Sequence, residues 1–275
     1  MEPLTTALSA CLTTIASILL VSPATIVIEV CVGLALLGPI CASMHESLVH
    51  QYIAHAKRET VNFWRRHPRI FLTLLLGHFF HHVVHHGKTF REGYLKQFGR
   101  PLEHEDVDAW APEAFYKAFP AEHQAYIRKA ASPAAIIEKL HASEYGLGAA
   151  SPCRFALTIV PLVLVVLLVA PFWLAFGTGA SMLFLYPAMS CIIHRNMMHV
   201  PQVAGGGRVQ NILTKFLVGS AYMKWLERYH WLHHRYVYCN YNLLVFADFL
   251  RGTWRRATAA DLEKMQTEGL DVCIS

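Results

Sequence analysis

Residues 155–175 read FALTIVPLVLVVLLVAPFWLA, a stretch without one charged side chain. About 20 apolar residues in a helix cross the hydrocarbon core of a bilayer, so this stretch alone points to an integral membrane protein. Outward from it, Gly177–Gly179 is expected to turn the chain and 180–193 (ASMLFLYPAMSCII) to bring it back. A second pair lies at the other end of the chain. Residues 4–21 (LTTALSACLTTIASILLV) and 24–43 (ATIVIEVCVGLALLGPICAS) are each long enough to span, joined by Ser22-Pro23. The expected fold class is all-α: a polytopic membrane protein with four transmembrane helices in two hairpins, and a cytoplasmic histidine-rich helical domain. The expected segments are a first hairpin, 1–44; a polar segment, 45–154; a second hairpin, 155–193; and a polar segment, 194–275.

Composition agrees. Of the 275 residues, 54% are hydrophobic and 16% charged, against about 45–50% and 25% in soluble domains. That excludes a disordered chain, a collagen-like repeat and a small disulfide scaffold, and it argues against an ordinary soluble enzyme. None of the 24 Lys and Arg falls in 1–44 or 155–193; fourteen fall in 45–154 and ten in 194–275. Cytoplasmic loops collect these residues, so both polar segments and the N-terminus are expected in the cytoplasm, the chain being multi-pass in a bacterial inner membrane or the endoplasmic reticulum. The charge is not gathered as a nucleic-acid-binding patch. No basic stretch precedes residue 4, as a signal peptide would require. Seven cysteines without a C-x-x-C pair read as reduced packing residues. Glu29 lies close to the first hairpin's tip, where it can reach the interface.

Residues 70–76 (IFLTLLL) are too short to cross and are expected to form a buried or interfacial helix leading into the histidines at 78–86. The proline-punctuated stretch 87–154 holds short amphipathic segments at 113–119 and 134–141, suited to covering the polar domain or lying on the bilayer. Thr258-Ala-Ala-Asp261 has the form of a helix-capping box.

Twelve of the 17 histidines form four clusters. His45 and His50 make an H-x4-H directly after the first hairpin, and His194 and His199 repeat it after the second. His78, His81, His82, His85 and His86 make a doubled H-x2-HH; His230, His233 and His234 make a single one. On an α-helix, positions i, i+3 and i+4 share a face, so H-x2-HH aims three imidazoles into one volume. H-x4-H is less tidy: five steps of about 100° leave the two side chains about 140° apart. The helix is then distorted there, as at a π-bulge, or the pair serves two metals. The 31 residues from His199 to His230 match the 32 from His50 to His82 better than the 28 to His78, which favours His82, His85 and His86 as ligands, with His78 and His81 as alternative or supporting residues. His55, His67, His104, His123 and His141 read as surface residues. Ten favoured imidazoles are too many for one ion and fit two, and a pair of redox metals beside lipid chains points to oxygen activation.

The series H-x4-H, H-x2-HH, H-x4-H, H-x2-HH resembles the fatty acid hydroxylase/sterol desaturase superfamily, most closely at 230–253 (HWLHHRYVYCNYNLLVFADFLRGT), where Asn240-Tyr241, Asp248 and Gly252-Thr253 follow the last histidines. The resemblance runs from the first hairpin to about residue 253 and leaves 87–154 unmatched. It implies a membrane-embedded non-haem di-iron oxygenase using O2 on a lipid-like aliphatic substrate, for hydroxylation or desaturation. By it, His45, His50, His82, His85, His86, His194, His199, His230, His233 and His234 would be the iron ligands, with no further catalytic side chain. No H-P-G-G sequence is present, so electrons would come from a separate ferredoxin or cytochrome b5. Two competing readings remain on the residues themselves. Two E-x2-H motifs, Glu138…His141 and Glu227…His230, would suit a carboxylate-bridged pair of metals, and the histidine clusters would also suit zinc without redox chemistry.

Overall fold

A computed structural model of the protein describes residues 21–90, 104–143, 153–194, 198–199 and 220–270, and every regular element among them is helical. The first expected span, 4–21, lies outside the described residues apart from its last position. Ser22-Pro23 does start a helix. Proline at the first position lacks an N–H that would have had no partner there, and the Ser22 hydroxyl accepts from the Thr25 amide at 3.2 Å. This helix, α1, runs Pro23–Ala54 and is the one helix among the described residues that is long and apolar enough to cross a membrane.

The chain divides into two compact units: Met1–Ala42 with Phe155–Leu185, and Ser43–Arg154 with Tyr186–Ser275. All three junctions between them, after Ala42, Arg154 and Leu185, fall inside helices.

In the first unit, α7 (Cys153–Val169) is followed by α8, residues 172–194, which is α-helical over Phe172–Pro187 and π-helical over Ala188–His194. The turn expected at Gly177–Gly179 is not there: the chain breaks at Ala170-Pro171. Proline has no N–H for the ladder and restricts the residue before it, so it ends α7. The break falls inside the span expected at 155–175, and the apolar helices on its two sides, Ile159–Val169 and Phe172–Tyr186, are each shorter than the ~20 residues of a full span. The glycines serve packing instead. A Cβ on Gly177 would sit 2.6 Å from the Val30 carbonyl oxygen, and one on Gly33 would sit 2.6 Å from that of Leu174. The two helices therefore cross backbone to backbone, and the Ser181 hydroxyl donates to the Leu34 carbonyl at 2.9 Å.

In the second unit, α2 (Arg58–Arg66) turns at His67-Pro68 into α3, residues 68–89. Its first part, Pro68–His78, is α-helical; Phe79–Thr89 is π-helical. Next come α4 (His104–Lys117), α5 (Ala121–Ala130) and α6 (Pro133–Ala142). Their apolar faces turn inward. Phe115, Tyr116, Phe119, Ile127, Ile136 and Leu140 bury with Phe79, Phe80 and Val84 in one core, so the amphipathic segments 113–119 and 134–141 cover the histidine helix rather than a bilayer. The last elements are α9 (Ala221–Arg235), α10 (Phe246–Arg251) and α11 (Ala259–Thr267), the last opened by the Thr258/Asp261 capping box.

Candidate metal centre

The site is built on departures from the α-helix. Over His50–Ala54 the end of α1 is π-helical, with the His55 amide donating to the His50 carbonyl at 2.9 Å, five residues back. That wider turn places residues five apart on one face, so His50 and His55 project together. His45 lies in the α-helical part, where five residues give the divergent angle of the ordinary helix. Its ring meets Tyr186 edge-on instead, at 5.2 Å between centroids.

The same widening governs α3. In Phe79–Thr89, residues four and five apart share a face, and the imidazoles brought together are His81, His85 and His86. On the α-helical α9 the equivalent set keeps the i, i+3, i+4 spacing, as His230, His233 and His234. Two different sequence spacings thus give one spatial pattern. In the second H-x4-H, the Met198 amide reaches the Ile193 carbonyl at 3.1 Å, and His199 takes a left-handed backbone (φ 61°). A non-glycine residue holds that conformation only when its surroundings require it; here it turns a fully buried imidazole onto its partners.

Ten histidines form two groups of five: His50, His55, His81, His86 and His233, and His85, His194, His199, His230 and His234. Within each group the nearest ring nitrogens all lie within 4.8 Å of one another. Each group takes its H-x4-H pair and the two outer histidines of a triplet from one half of the chain. The middle histidine of each triplet, His85 or His233, crosses to the other group. The groups adjoin, since His86 and His234 stack at 4.1 Å between centroids.

These groups could hold metal ions. In the first, Nε2 atoms approach at 2.8 Å (His50–His81), 3.1 Å (His81–His86) and 3.1 Å (His55–His233). In the second they approach at 3.0 Å (His194–His230), 3.1 Å (His199–His230) and 3.1 Å (His85–His234). Nitrogens about 2.1 Å from a shared ion are about 3.0 Å apart at right angles and about 3.4 Å apart at the tetrahedral angle, so the spacings match five or six ligands better than four. Burial, reinforced by the neighbouring imidazoles, holds His55, His81, His85, His86, His230 and His234 well below the usual histidine pKa. Burial also brings His233 down to about 4, against the opposing hydrogen bond to the Cys239 carbonyl. At neutral pH these rings are uncharged and present lone pairs, the form that binds metal.

Outer partners orient the rings. His233 Nδ1 donates to the Cys239 carbonyl at 2.8 Å, and His55 Nδ1 meets His82 Nδ1 at 2.9 Å. His82 therefore stands behind His55 rather than in either group, and His78 stacks on it while donating to the Ala54 carbonyl at 3.0 Å. Phe90 stacks on His199 at 4.1 Å, and the Tyr241 ring lies against His50 and His233. Relative to the sequence expectation, His55 and His81 join the groups and His45 and His82 stand outside. The missed signal was the five-residue spacing running on through His45, His50 and His55.

No carboxylate belongs to either group among the described residues, whereas the E-x2-H reading would place Glu138 and Glu227 there. His141 instead pairs with Asp108 at 2.6 Å. His67 caps α2, and His123 lies in the first turn of α5; the side chain of His104 lies outside the described residues.

The segment following His234 ties the halves of the site together. Asp248, fully buried, accepts from the Tyr229 hydroxyl at 2.6 Å, the Asn242 amide at 3.0 Å and the Thr253 hydroxyl at 2.5 Å. Asn240, at φ 52°, donates to the Tyr229 and Arg255 carbonyls. Asn242 donates to the Ser43 carbonyl at 2.7 Å, and the Glu46 carboxylate accepts the Leu243 and Leu244 amides at 3.2 and 3.1 Å. The end of α1, which carries His50 and His55, is thereby fixed to the loop behind α9, which carries His233. Compared with protein-family models, curated proteins and solved structures, the chain matches none.

Proposed function

We propose that the protein is a membrane-bound non-haem di-iron oxygenase that hydroxylates a lipid-like aliphatic substrate, with O2 and electrons from a separate ferredoxin or cytochrome b5. The observation that carries this reading is the pair of interlocked five-histidine groups, each completed by one residue from the other half of the chain. Two adjoining all-nitrogen groups with right-angle spacings suit a pair of iron ions better than tetrahedral zinc. Iron held there would supply the redox chemistry with O2 that cleavage of an unactivated C–H bond requires.

The chain's own residues do the rest. Burial keeps the imidazoles neutral, and the backbone carbonyl of Cys239 and the ring of His82 hold the two outer nitrogens that set ring direction. Phe90 and Tyr241 pack apolar surface against the groups and exclude water from them. The proposed topology keeps four spans in two hairpins and puts both polar segments in the cytoplasm, supported by the distribution of Lys and Arg. Desaturation of the same class of substrate is the second reading, since it needs the same ligands.

The test is metal analysis of the purified protein followed by product mass spectrometry under 18O2. Two irons per chain with label in the product support hydroxylation. Two irons with an unlabelled alkene support desaturation. Zinc alone, with iron unable to replace it, rules out both.

A further inference from the structure

We infer that the exposed face of α10 is an interfacial membrane contact, seating Phe246, Phe249 and Leu250 in the headgroup layer of a bilayer. These residues are 43%, 49% and 65% exposed, and their i, i+3, i+4 spacing puts them on one face of the short helix. The opposite face is committed: Ala247 and Asp248 are fully buried. Three large apolar side chains in a row on a helix this firmly held need an apolar neighbour.

Depth identifies that neighbour. A helix rises 1.5 Å per residue, so about 20 residues counted from Pro23, the start of α1, traverse the ~30 Å hydrocarbon core and end near Ser43. Ser43 is where α10 is attached. Its hydroxyl accepts from the Ala247 amide at 2.8 Å, and its carbonyl accepts from Asn242 at 2.7 Å. The start of α10 is thus pinned at the level where α1 leaves the hydrocarbon.

The flanking residues fit the same surface. Arg251 lies over the ring of Tyr52, itself 56% exposed, and Arg256 lies over Trp254 at 4.8 Å. Arginine and tryptophan side by side are the usual anchors at headgroup level, and arginines add attraction to anionic lipids. The one acidic residue in 246–256, Asp248, faces inward. A protein partner would have to reach the same depth, which makes lipid the favoured occupant. The inference rests on α1 as a membrane span and not on what the histidine groups hold.

The experiment is depth measurement by spin labelling of the full chain, with its native cysteines replaced, in phosphatidylcholine/phosphatidylglycerol vesicles. Nitroxides go at L250C, at F249C, and at E263C on the exposed side of α11. The labels at 249 and 250 should collide more with O2 than with a water-soluble nickel chelate, and the label at 263 should show the reverse. A nickel-accessible label at both 249 and 250 overturns the inference. So does shielding from both reagents together with a change in assembly that F249E abolishes, because a protein is then the occupant. A separate metal count on the same samples shows whether the metal reading stands, whichever way the depths fall.

Discussion

His81 and His82 are neighbours with different tasks, and the difference can be measured. His81 lies within one five-histidine group, whereas His82 stands outside both and meets the outer nitrogen of His55. His81→Ala is expected to lose one metal equivalent. His82→Ala is expected to keep both at saturating metal, with affinity weakened by about 10–100-fold, as for loss of an orienting partner. Metal titration followed by mass spectrometry of the intact protein checks this, and equal losses from the two variants would refute the assignment. His233 tests the crossing. It sits on α9 among members of the second group but points into the first, and His86 and His234 stack across the boundary. In His233→Ala, Mössbauer spectra of the iron-loaded protein should show both iron environments altered. One unperturbed site would mean two independent centres.

At the scale of elements, the π-helical stretches and the close helix crossing both follow from backbone geometry, and the crossing gives a direct test. Gly77 and Gly177 both sit inside helices, where replacing glycine by alanine gains about 0.5–1 kcal/mol through backbone entropy. At Gly77 an added Cβ meets only the Ile53 Cγ2 at 3.9 Å, so Gly77→Ala should stabilise by about that amount. At Gly177 it meets the Val30 carbonyl oxygen at 2.6 Å, part of a backbone that cannot move aside. Overpacking of that kind costs about 1–3 kcal/mol, which exceeds the gain. Gly177→Ala should therefore lower the thermal midpoint in detergent while Gly77→Ala raises it. The H-x4-H spacing was itself visible in the sequence, and it already required a distorted helix or two metals. Which residues the distortion would align was not visible, because an α-helical period and a π-helical period select different members of His78, His81, His82, His85 and His86. The intervals between clusters gave no help, since linker length does not constrain where ligands meet.

The pH response belongs to the whole molecule. For His233 the folded pKa of about 4 lies below the ordinary value of 6.5, so the unfolded chain binds the proton more readily. Stability from this residue is fully present above pH 6.5 and is lost as pH falls toward about 4; the shift corresponds to ~3 kcal/mol. His55, His81, His85, His86, His230 and His234 shift in the same direction. The metal-free protein should therefore lose thermal stability steeply on acidification below pH 6.5, and the loaded protein should release metal over the same range as protons compete for the ring nitrogens. A flat unfolding midpoint from pH 7 to pH 4.5 would contradict the buried, neutral histidines. Composition, charge distribution and histidine count determined the class of molecule from sequence alone: helical, apolar enough for a membrane, and rich in potential metal ligands. Those are sums and periods along one chain, and they do not depend on how distant segments meet. The grouping of His55 with His50, the passage of His85 and His233 to opposite groups, and the outward face of α10 were decided only by tertiary structure. Each depends on helix period and on packing between segments up to about 200 residues apart, such as Ser43 with Asn242, which no local pattern encodes.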